Sequence, residues 1–356
     1  MWNPTLWVEA MPNFDHVKRL LLILFLFPWI TACDNVTIAF STPEEILDDI
    51  PLGFPAIEYP AENEFTMERW LLGRKLFYDP ILSDDYSVSC ASCHDSELAF
   101  AVNEQFSRGA GQAIGTRNAP SLANVAYHPY YTREGGVPTL EMQILIPIQE
   151  HNEFNTNVLI IAERMLEDET YVEMSQAAYD RPPDPYVITR SIANFERTLI
   201  SGNSAYDRYK FQNKSQALTA QEKMGMELFF SERTRCSQCH ADFNFTNYAF
   251  ENNGLYASYP DPGRFRLTRD SMDLARFKVP SLRNVELTAP YMHDGSFDKL
   301  SDVLKHYNAG GANHRNKSEL IQPLNLSSGE LEALEAFLKS LTDHTFITNN
   351  TLKDEN

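Results

Sequence analysis

The stretch SCASCHDSELAF, residues 89–100, decides the fold of this chain because it contains the pattern Cys-x-x-Cys-His. That pattern attaches a c-type haem: the two cysteines form thioethers with the haem, and the histidine is placed beneath the iron. The pattern occurs twice, as Cys90, Cys93 and His94 and again as Cys236, Cys239 and His240. Two covalent haems are therefore predicted, with His94 and His240 as proximal ligands.

The fifth cysteine, Cys33, ends a segment that is typical of an export signal. A basic pair precedes an apolar run at 20–29, which is too short to span a bilayer. Ile-Thr-Ala-Cys at 30–33 resembles a bacterial lipobox. We therefore predict that residues 1–32 are removed and that a lipidated Cys33 anchors a periplasmic protein to a membrane. An ordinary signal peptide with an incidental cysteine is the alternative.

The composition narrows the class of partner. The chain has 356 residues, with 30 Lys and Arg against 49 Asp and Glu, for a net charge of −19. This length suffices for two domains of ordinary size. The acidic balance argues against nucleic acid as a partner.

Hydrophobic periodicity predicts a mainly α protein with long loops. Helical patterns lie at 66–80, 139–149 (interrupted or ended near Pro147), 157–202, 215–232 and 328–343. The segment before each haem motif is similar, LGRKLFYDPILS at 72–83 and KMGMELFFSERT at 223–234, which favours two tandem cytochrome c-like domains. The predicted order is signal peptide 1–32, tether 33–62, first haem domain 63–212, second haem domain 213–346 and tail 347–356.

The sixth iron ligands decide what the haems do, since an iron bound on both faces carries electrons and an open one reacts with oxygen or peroxide. After His94, the first histidine is His128 and the first methionine is Met142, and neither lies in an obvious ligand motif. The first haem is therefore predicted to have an open face. The candidates for the second haem are Met272, Met292, His293, His306 and Tyr307, and spacing alone does not choose among them.

The segment FKVPSLRNVELTAPYMHDGS, 277–296, together with the two haem motifs, resembles the bacterial di-haem cytochrome c peroxidase family, which includes the tryptophan-modifying enzyme MauG. The resemblance extends from Leu71 to Phe346. The stretches SLANVAY, NNGLY, YMHDGS and HYNAGG are similar to the methanobactin-associated di-haem enzymes, a subgroup related to MauG.

The resemblance implies that the first haem reacts with peroxide beneath a glutamate. The family pattern Gln-x-x-x-Pro-x-x-x-x-x-Glu matches Gln143, Pro147 and Glu153, of which the first two would shape the pocket. A carboxylate there can take a proton from one peroxide oxygen and return it to the other. The alternative is that QEHNEF is a solvated acidic loop, in which Glu150 would be equally plausible.

The resemblance also implies Tyr307 as the axial ligand of the second haem, because MauG-like members have a tyrosine at that point. An anionic oxygen ligand stabilises the ferric and higher oxidation states. The alternative is that Tyr307 is a packed aromatic residue and that Met272 or Met292 binds the iron.

The family places a calcium ion between the haems. The matching ligands are the Asn118 side chain and the carbonyl oxygens of Thr288 and Pro290. A site made only of oxygen ligands suits calcium.

The chain departs from the family at the position between the haems. Members commonly have a tryptophan ten residues before the glutamine, and Arg133 stands there in this sequence. Tyr130 or Tyr131 would have to substitute as a relay, or the haem propionates and the calcium site would couple the haems. Arg133 is equally a candidate partner of a propionate, since a guanidinium suits carboxylates.

The favoured function is therefore a di-haem peroxidase. It would reduce hydrogen peroxide at the first haem, with electrons from a small c-type cytochrome or cupredoxin delivered through the second. The alternative is a MauG-like oxidase that uses peroxide to modify a tryptophan or tyrosine of a partner protein, and a plain electron-transfer cytochrome ranks third. A homodimer is the oligomeric state considered.

Overall fold

Helices make up most of the regular structure of residues 50–354, the part of the chain that the computed structural model describes. The α-helices are α1 Met67–Tyr78, α2 Leu140–Gln143, α3 Leu145–Gln149, α4 Val158–Leu166, α5 Glu169–Tyr179, α6 Pro185–Glu196, α7 Ala205–Lys210, α8 Ala220–Phe229, α9 Cys236–Cys239, α10 Phe265–Thr268, α11 Leu300–Ala309, α12 Ser328–Lys339 and α13 His344–Ile347. Two short strands, β1 Phe250–Glu251 and β2 Phe277–Lys278, pair antiparallel. A mainly α fold was predicted and is confirmed.

Three sequence predictions concern residues outside this range. The signal peptide, the lipidation at Cys33 and most of the tether lie beyond the described residues, and they stay predictions. Within residues 50–354, none of the helices has the length and apolar character needed to cross a bilayer.

Helix α1 forms where the sequence has a cap followed by an apolar face. The side-chain oxygen of Thr66 accepts a hydrogen bond from the Arg69 amide and so satisfies one unpaired donor of the first turn. Trp70, Leu76 and Phe77 are buried on the face that packs against α6. The helix predicted at 66–80 is confirmed.

Each half of the chain is built on one close helix crossing at a glycine. In the first half, a Cβ on Gly73 of α1 would lie 1.9 Å from the backbone oxygen of Ser191 in α6. In the second half, a Cβ on Gly225 of α8 would lie 1.9 Å from the backbone oxygen of Ala333 in α12. Only glycine permits this approach, because any side chain would collide with the neighbouring backbone.

The same aromatic contact accompanies both crossings. Phe77 meets Phe195 with ring centroids 5.1 Å apart and an interplanar angle of 56°, and Phe229 meets Phe337 with the same two values. The buried apolar residues form one large cluster in each half. The repeat seen in the sequence is thus a repeat of packing, although the domain boundaries themselves stay predictions.

The end of the chain packs on the first cluster rather than on the second. Phe346 and Leu352 belong to that cluster, and the Tyr78 hydroxyl donates to the backbone oxygen of Leu352 at 2.7 Å. The segment predicted as a tail therefore contributes to the core of the first half as far as the structure describes it.

Two predicted helical segments are divided differently from their sequence pattern. The segment 139–149 forms two helices that meet at Ile144, and Pro147 lies inside the second one. Proline is tolerated there because the first turn of a helix needs no amide donor at that position. The segment 157–202 forms three helices, α4, α5 and α6.

Gly225→Ala is expected to destabilise the protein by about 1–3 kcal/mol, because the added methyl would collide with a backbone atom that cannot rotate away. Gly329→Ala in α12 is the matched control, since a Cβ at Gly329 meets nothing within 4 Å. Urea unfolding of the haem-loaded protein measures both. Equal free energies of unfolding for Gly225→Ala and the unsubstituted protein would contradict the close crossing.

Candidate active site

The two haem-attachment motifs fold into equivalent turns. Residues Cys90–Ser92 form a 3-10 turn and Cys236–Cys239 form the short helix α9. In both, the amide of the histidine donates to the backbone oxygen of the first cysteine at 2.9 Å. The four motif cysteines form no disulfide among the described residues, so their thiols fit thioether attachment.

The two motif histidines have the tautomer that an iron ligand needs. His94 Nδ1 lies 3.0 Å from the backbone oxygen of Phe100, and His240 Nδ1 lies 3.1 Å from that of Phe245. A carbonyl oxygen can only accept, so each Nδ1 carries the proton and each Nε2 lone pair is free for a metal. Burial lowers the pKa of both rings, that of His240 to about 4, which keeps them neutral. The donor set therefore fits two histidine-ligated haems.

The predicted acid–base residue lies beside the first haem motif. Burial raises the pKa of Cys93, and the nearby Glu153 carboxylate raises it further. Burial also raises the pKa of Glu153 itself to about 7, with repulsion by Glu150 as the second cause. A carboxyl group with that pKa can both take and return a proton at neutral pH.

The loop that carries Glu153 is fixed by backbone contacts. The Glu153 backbone oxygen accepts from the Ala110 amide at 2.7 Å. The Phe154 amide donates to the backbone oxygen of Pro147 at 3.1 Å, which ties the loop to α3. Gln143 at the end of α2 has a buried side-chain oxygen with no hydrogen-bond partner among the described residues, so it is available to a ligand. Gln143, Pro147 and Glu153 therefore lie along one continuous helix–loop segment. Their catalytic roles stay predictions.

A buried carboxyl group near the first motif, that of Glu196, was missed from the sequence. Glu196 ends α6, is 6% exposed, and lies close enough to raise the pKa of Cys90. Burial raises the pKa of Glu196 to about 8. The sequence does not single out Glu196, because it lies within a helical pattern and far from Cys90 along the chain. The two residues come close through the packing of α1 against α6.

At the second haem motif, Tyr307 of α11 lies close to the cysteines. Burial raises the pKa of its phenol to about 12, and Cys236 and Cys239 lie near enough to add to the rise. The Asn253 amide nitrogen lies 3.4 Å from Tyr307 Oη and 3.3 Å from Met292 Sδ, and it can donate to either. Asn253, the second residue of the NNGLY motif, is therefore a site residue whose role the sequence did not indicate.

The other ligand candidates for the second haem are placed less favourably. Met272 is 57% exposed. His306 donates its Nε2 proton to the backbone oxygen of Asn253 at 3.0 Å, and His293 stacks on Phe277 with centroids 4.1 Å apart. Tyr307 and Met292 both contact the side-chain amide of Asn253. The assignment of Tyr307 as the axial ligand of the second haem stays a prediction.

The residues predicted to ligate calcium have hydrogen-bond partners in the structure. Asn118 is buried, donates its side-chain amide to the backbone oxygen of Glu104, and has the guanidinium of Arg133 against its two oxygens. The amide of Asn118 donates to the backbone oxygen of His293, three residues after Pro290. The Thr288 hydroxyl donates to the backbone oxygen of Val285, and the carbonyl oxygens of Thr288 and Pro290 stay predicted ligands. Because the Arg133 guanidinium already lies at the two oxygens of Asn118, a calcium ion does not fit at the same oxygens.

The candidate relay tyrosines have different surroundings. The Tyr130 ring stacks on Phe250 with centroids 5.2 Å apart, and its hydroxyl donates to the backbone oxygen of Tyr248. Tyr131 is buried, and its ring lies 6.3 Å from that of His128. Their use as relays stays a prediction.

The position of Arg133 has a counterpart in the second half. Asn124 and Asn284 both have left-handed backbone conformations in the similar segments SLANV and SLRNV. Tyr131 then pairs with Val137 as Tyr291 pairs with Phe297. In this register Arg133 corresponds to His293, and both contact Asn118. The junction between the halves is therefore formed by equivalent loops of a repeat.

Two histidine-bearing haem motifs, the first with the Glu153 carboxyl group beside it, are typical of a di-haem c-type cytochrome. A sequence model of the di-haem cytochrome c peroxidase family matches residues 67–216. Methylamine utilization protein MauG of Methylorubrum extorquens is 34% identical over 290 residues, which cover 80% of this chain and 81% of that protein. Cytochrome-c peroxidase IdrP1 of Pseudomonas sp. is 31% identical over 346 residues, covering 86% and 90%.

A solved structure agrees with these relatives. The crystal structure of a MauG-like protein associated with microbial copper homeostasis matches with a TM-score of 0.82 at 34% identity, covering 86% of this chain and 98% of that chain. The chain belongs to the di-haem cytochrome c peroxidase and MauG family. It is an oxidoreductase of a family that carries c-type haems.

Glu153→Gln is expected to slow the reaction with hydrogen peroxide by about 10²–10⁴-fold, because an amide cannot take the peroxide proton. In the unsubstituted protein the rate should rise with pH through about 7, as the carboxyl group loses its proton. Stopped-flow absorbance at the haem bands measures both.

Glu150→Gln is the matched control. Removing the repulsion by Glu150 should lower the pKa of Glu153 and shift the rise to lower pH, while the plateau rate stays within a few-fold. A large loss of rate in Glu150→Gln with little change in Glu153→Gln would assign the acid–base role to Glu150.

Proposed function

We propose that this chain is a peroxide-driven oxidase that takes electrons from a tyrosine or tryptophan side chain of a partner protein. One hydrogen peroxide, two electrons and two protons give two waters, and the partner side chain gives up the two electrons and two protons. The first haem, which Cys90, Cys93 and His94 would hold, would supply the iron for breaking the O–O bond. Glu153 takes a proton from one peroxide oxygen and returns it to the other.

The position of Tyr307 near the second haem motif is the observation that favours a partner side chain as the electron source. A phenolate ligand stabilises a ferric haem, so it disfavours reduction of the second haem by an external donor. The contact between Asn253 and Tyr307 supports this role, since a hydrogen bond to the phenol oxygen stabilises its anionic form. The 34% identity to MauG and to the MauG-like protein of copper homeostasis supports the same choice.

The second candidate is a peroxidase that takes electrons from a small c-type cytochrome or cupredoxin. Met292 favours it, because its thioether lies at the same Asn253 amide as Tyr307 and a thioether ligand would raise the haem potential. The 31% identity to a cytochrome-c peroxidase supports it as well. Under either candidate we place the reaction in the periplasm, which suits the N-terminal export pattern. The homodimer stays a prediction.

The two candidates differ in how they treat a reduced small c-type cytochrome. With hydrogen peroxide in excess, the proposal predicts that the haem-loaded protein consumes peroxide while oxidising the cytochrome at least about 100-fold more slowly than the Tyr307→Met variant, whose second haem becomes easier to reduce. The loss of cytochrome absorbance measures the rate.

Tyr209→Met is the control for this substitution, because the Tyr209 ring lies against Lys223 rather than at Asn253. It should behave like the unsubstituted protein. Rapid oxidation of two cytochromes per peroxide by the unsubstituted protein would reject the proposal in favour of the second candidate.

A further inference from the structure

The junction between the two halves holds the guanidinium of Arg133, where the family resemblance leads one to expect an indole. Its Nη2 donates to the backbone oxygen of Asn118 at 2.5 Å and lies 3.5 Å from Asn118 Oδ1. Its Nε is buried and has no hydrogen-bond partner among the described residues. The guanidinium therefore contacts the very side-chain oxygen that the resemblance assigns to calcium.

The carboxylates around this guanidinium are engaged elsewhere. Those whose charge acts on Arg133 are Glu134, Asp294 and Asp261. Arg117 forms ion pairs with Glu134 and with Asp261, each at 2.6 Å. Asp294 accepts from the Tyr256 hydroxyl at 2.7 Å. Each of these three carboxylates thus already has a partner other than Arg133.

Further positive charge lies close by. Burial lowers the pKa of Arg133 to about 10, and repulsion by Arg117 contributes to the shift. Burial likewise lowers the pKa of Lys278 to about 8, and here the second cause is Arg133. The backbone amide of Lys278 donates to the backbone oxygen of Arg133 at 2.8 Å, so the two positively charged residues are neighbours in space. A calcium ion at Asn118 would add two positive charges beside the Arg133 guanidinium.

We propose that the Arg133 guanidinium takes the place of an inter-haem calcium ion, so that the haem pair of this chain assembles without calcium. The guanidinium supplies the fixed positive charge at the Asn118 oxygens. Asn118 in turn links the two halves, because its backbone amide donates to the backbone oxygen of His293. Its unpaired Nε remains free to donate to a carboxylate, and a haem propionate is the carboxylate that a bound haem brings.

The test measures bound calcium rather than activity. The haem-loaded protein is dialysed against calcium chloride, desalted, and analysed for calcium and iron by mass spectrometry. We expect fewer than about one calcium ion per ten chains, and we expect chelation by EGTA to leave the ferric absorbance spectrum of both haems unchanged. One tightly held calcium per chain, or a spectrum that changes with EGTA and recovers with calcium, would overturn the proposal.

Arg133→Gln tests whether the guanidinium itself excludes the metal. Glutamine removes the charge and keeps a polar side chain, so the variant should gain about one calcium ion per chain and a spectrum sensitive to EGTA. Arg108→Gln, at an exposed arginine of the same half, is the control and should stay free of calcium. If Arg133→Gln folds, incorporates two haems and binds no calcium, the guanidinium is not the group that replaces the ion, and the proposal fails.

Discussion

The rest of this structure depends on a steric constraint: in each half, one helix lies against the backbone of another at a glycine. Gly73 over Ser191 and Gly225 over Ala333 bring the helices closer than any side chain would allow. That approach lets Phe77 meet Phe195 and Phe229 meet Phe337 in the same geometry. The haem motif follows the first helix of each pair, so the crossing fixes where each motif lies against its core.

The same scaffold leads to different chemistry because the distal residues differ. Beside the first motif, the carboxyl group of Glu153 stands on a loop, and its pKa is raised to about 7. Beside the second motif the phenol of Tyr307 lies near the cysteines and shares an amide donor with Met292. One half therefore has a carboxyl group whose pKa suits proton exchange at neutral pH, and the other has groups able to ligate an iron. The repeat also sets Arg133 opposite His293 at the junction, where the two halves bond the same Asn118.

Much of this could be predicted from local sequence, since haem attachment and the mainly α fold depend on residues close together in the chain. Glu153 could be singled out only through the family resemblance, because QEHNEF alone does not distinguish it from Glu150. Asn253 and Glu196 could not be found, because their partners Tyr307 and Cys90 lie far away in sequence. The packing of Leu352 on the first cluster was hidden for the same reason.

We expect the first haem to have an open face and the second to be ligated on both faces. Electron paramagnetic resonance of the ferric, haem-loaded protein, with Tyr307→Phe measured alongside, tests this difference. The expected result is one high-spin and one low-spin haem per chain, with only the low-spin signal altered in Tyr307→Phe. Two low-spin haems in the unsubstituted protein, or a high-spin signal that changes with Tyr307, would contradict it.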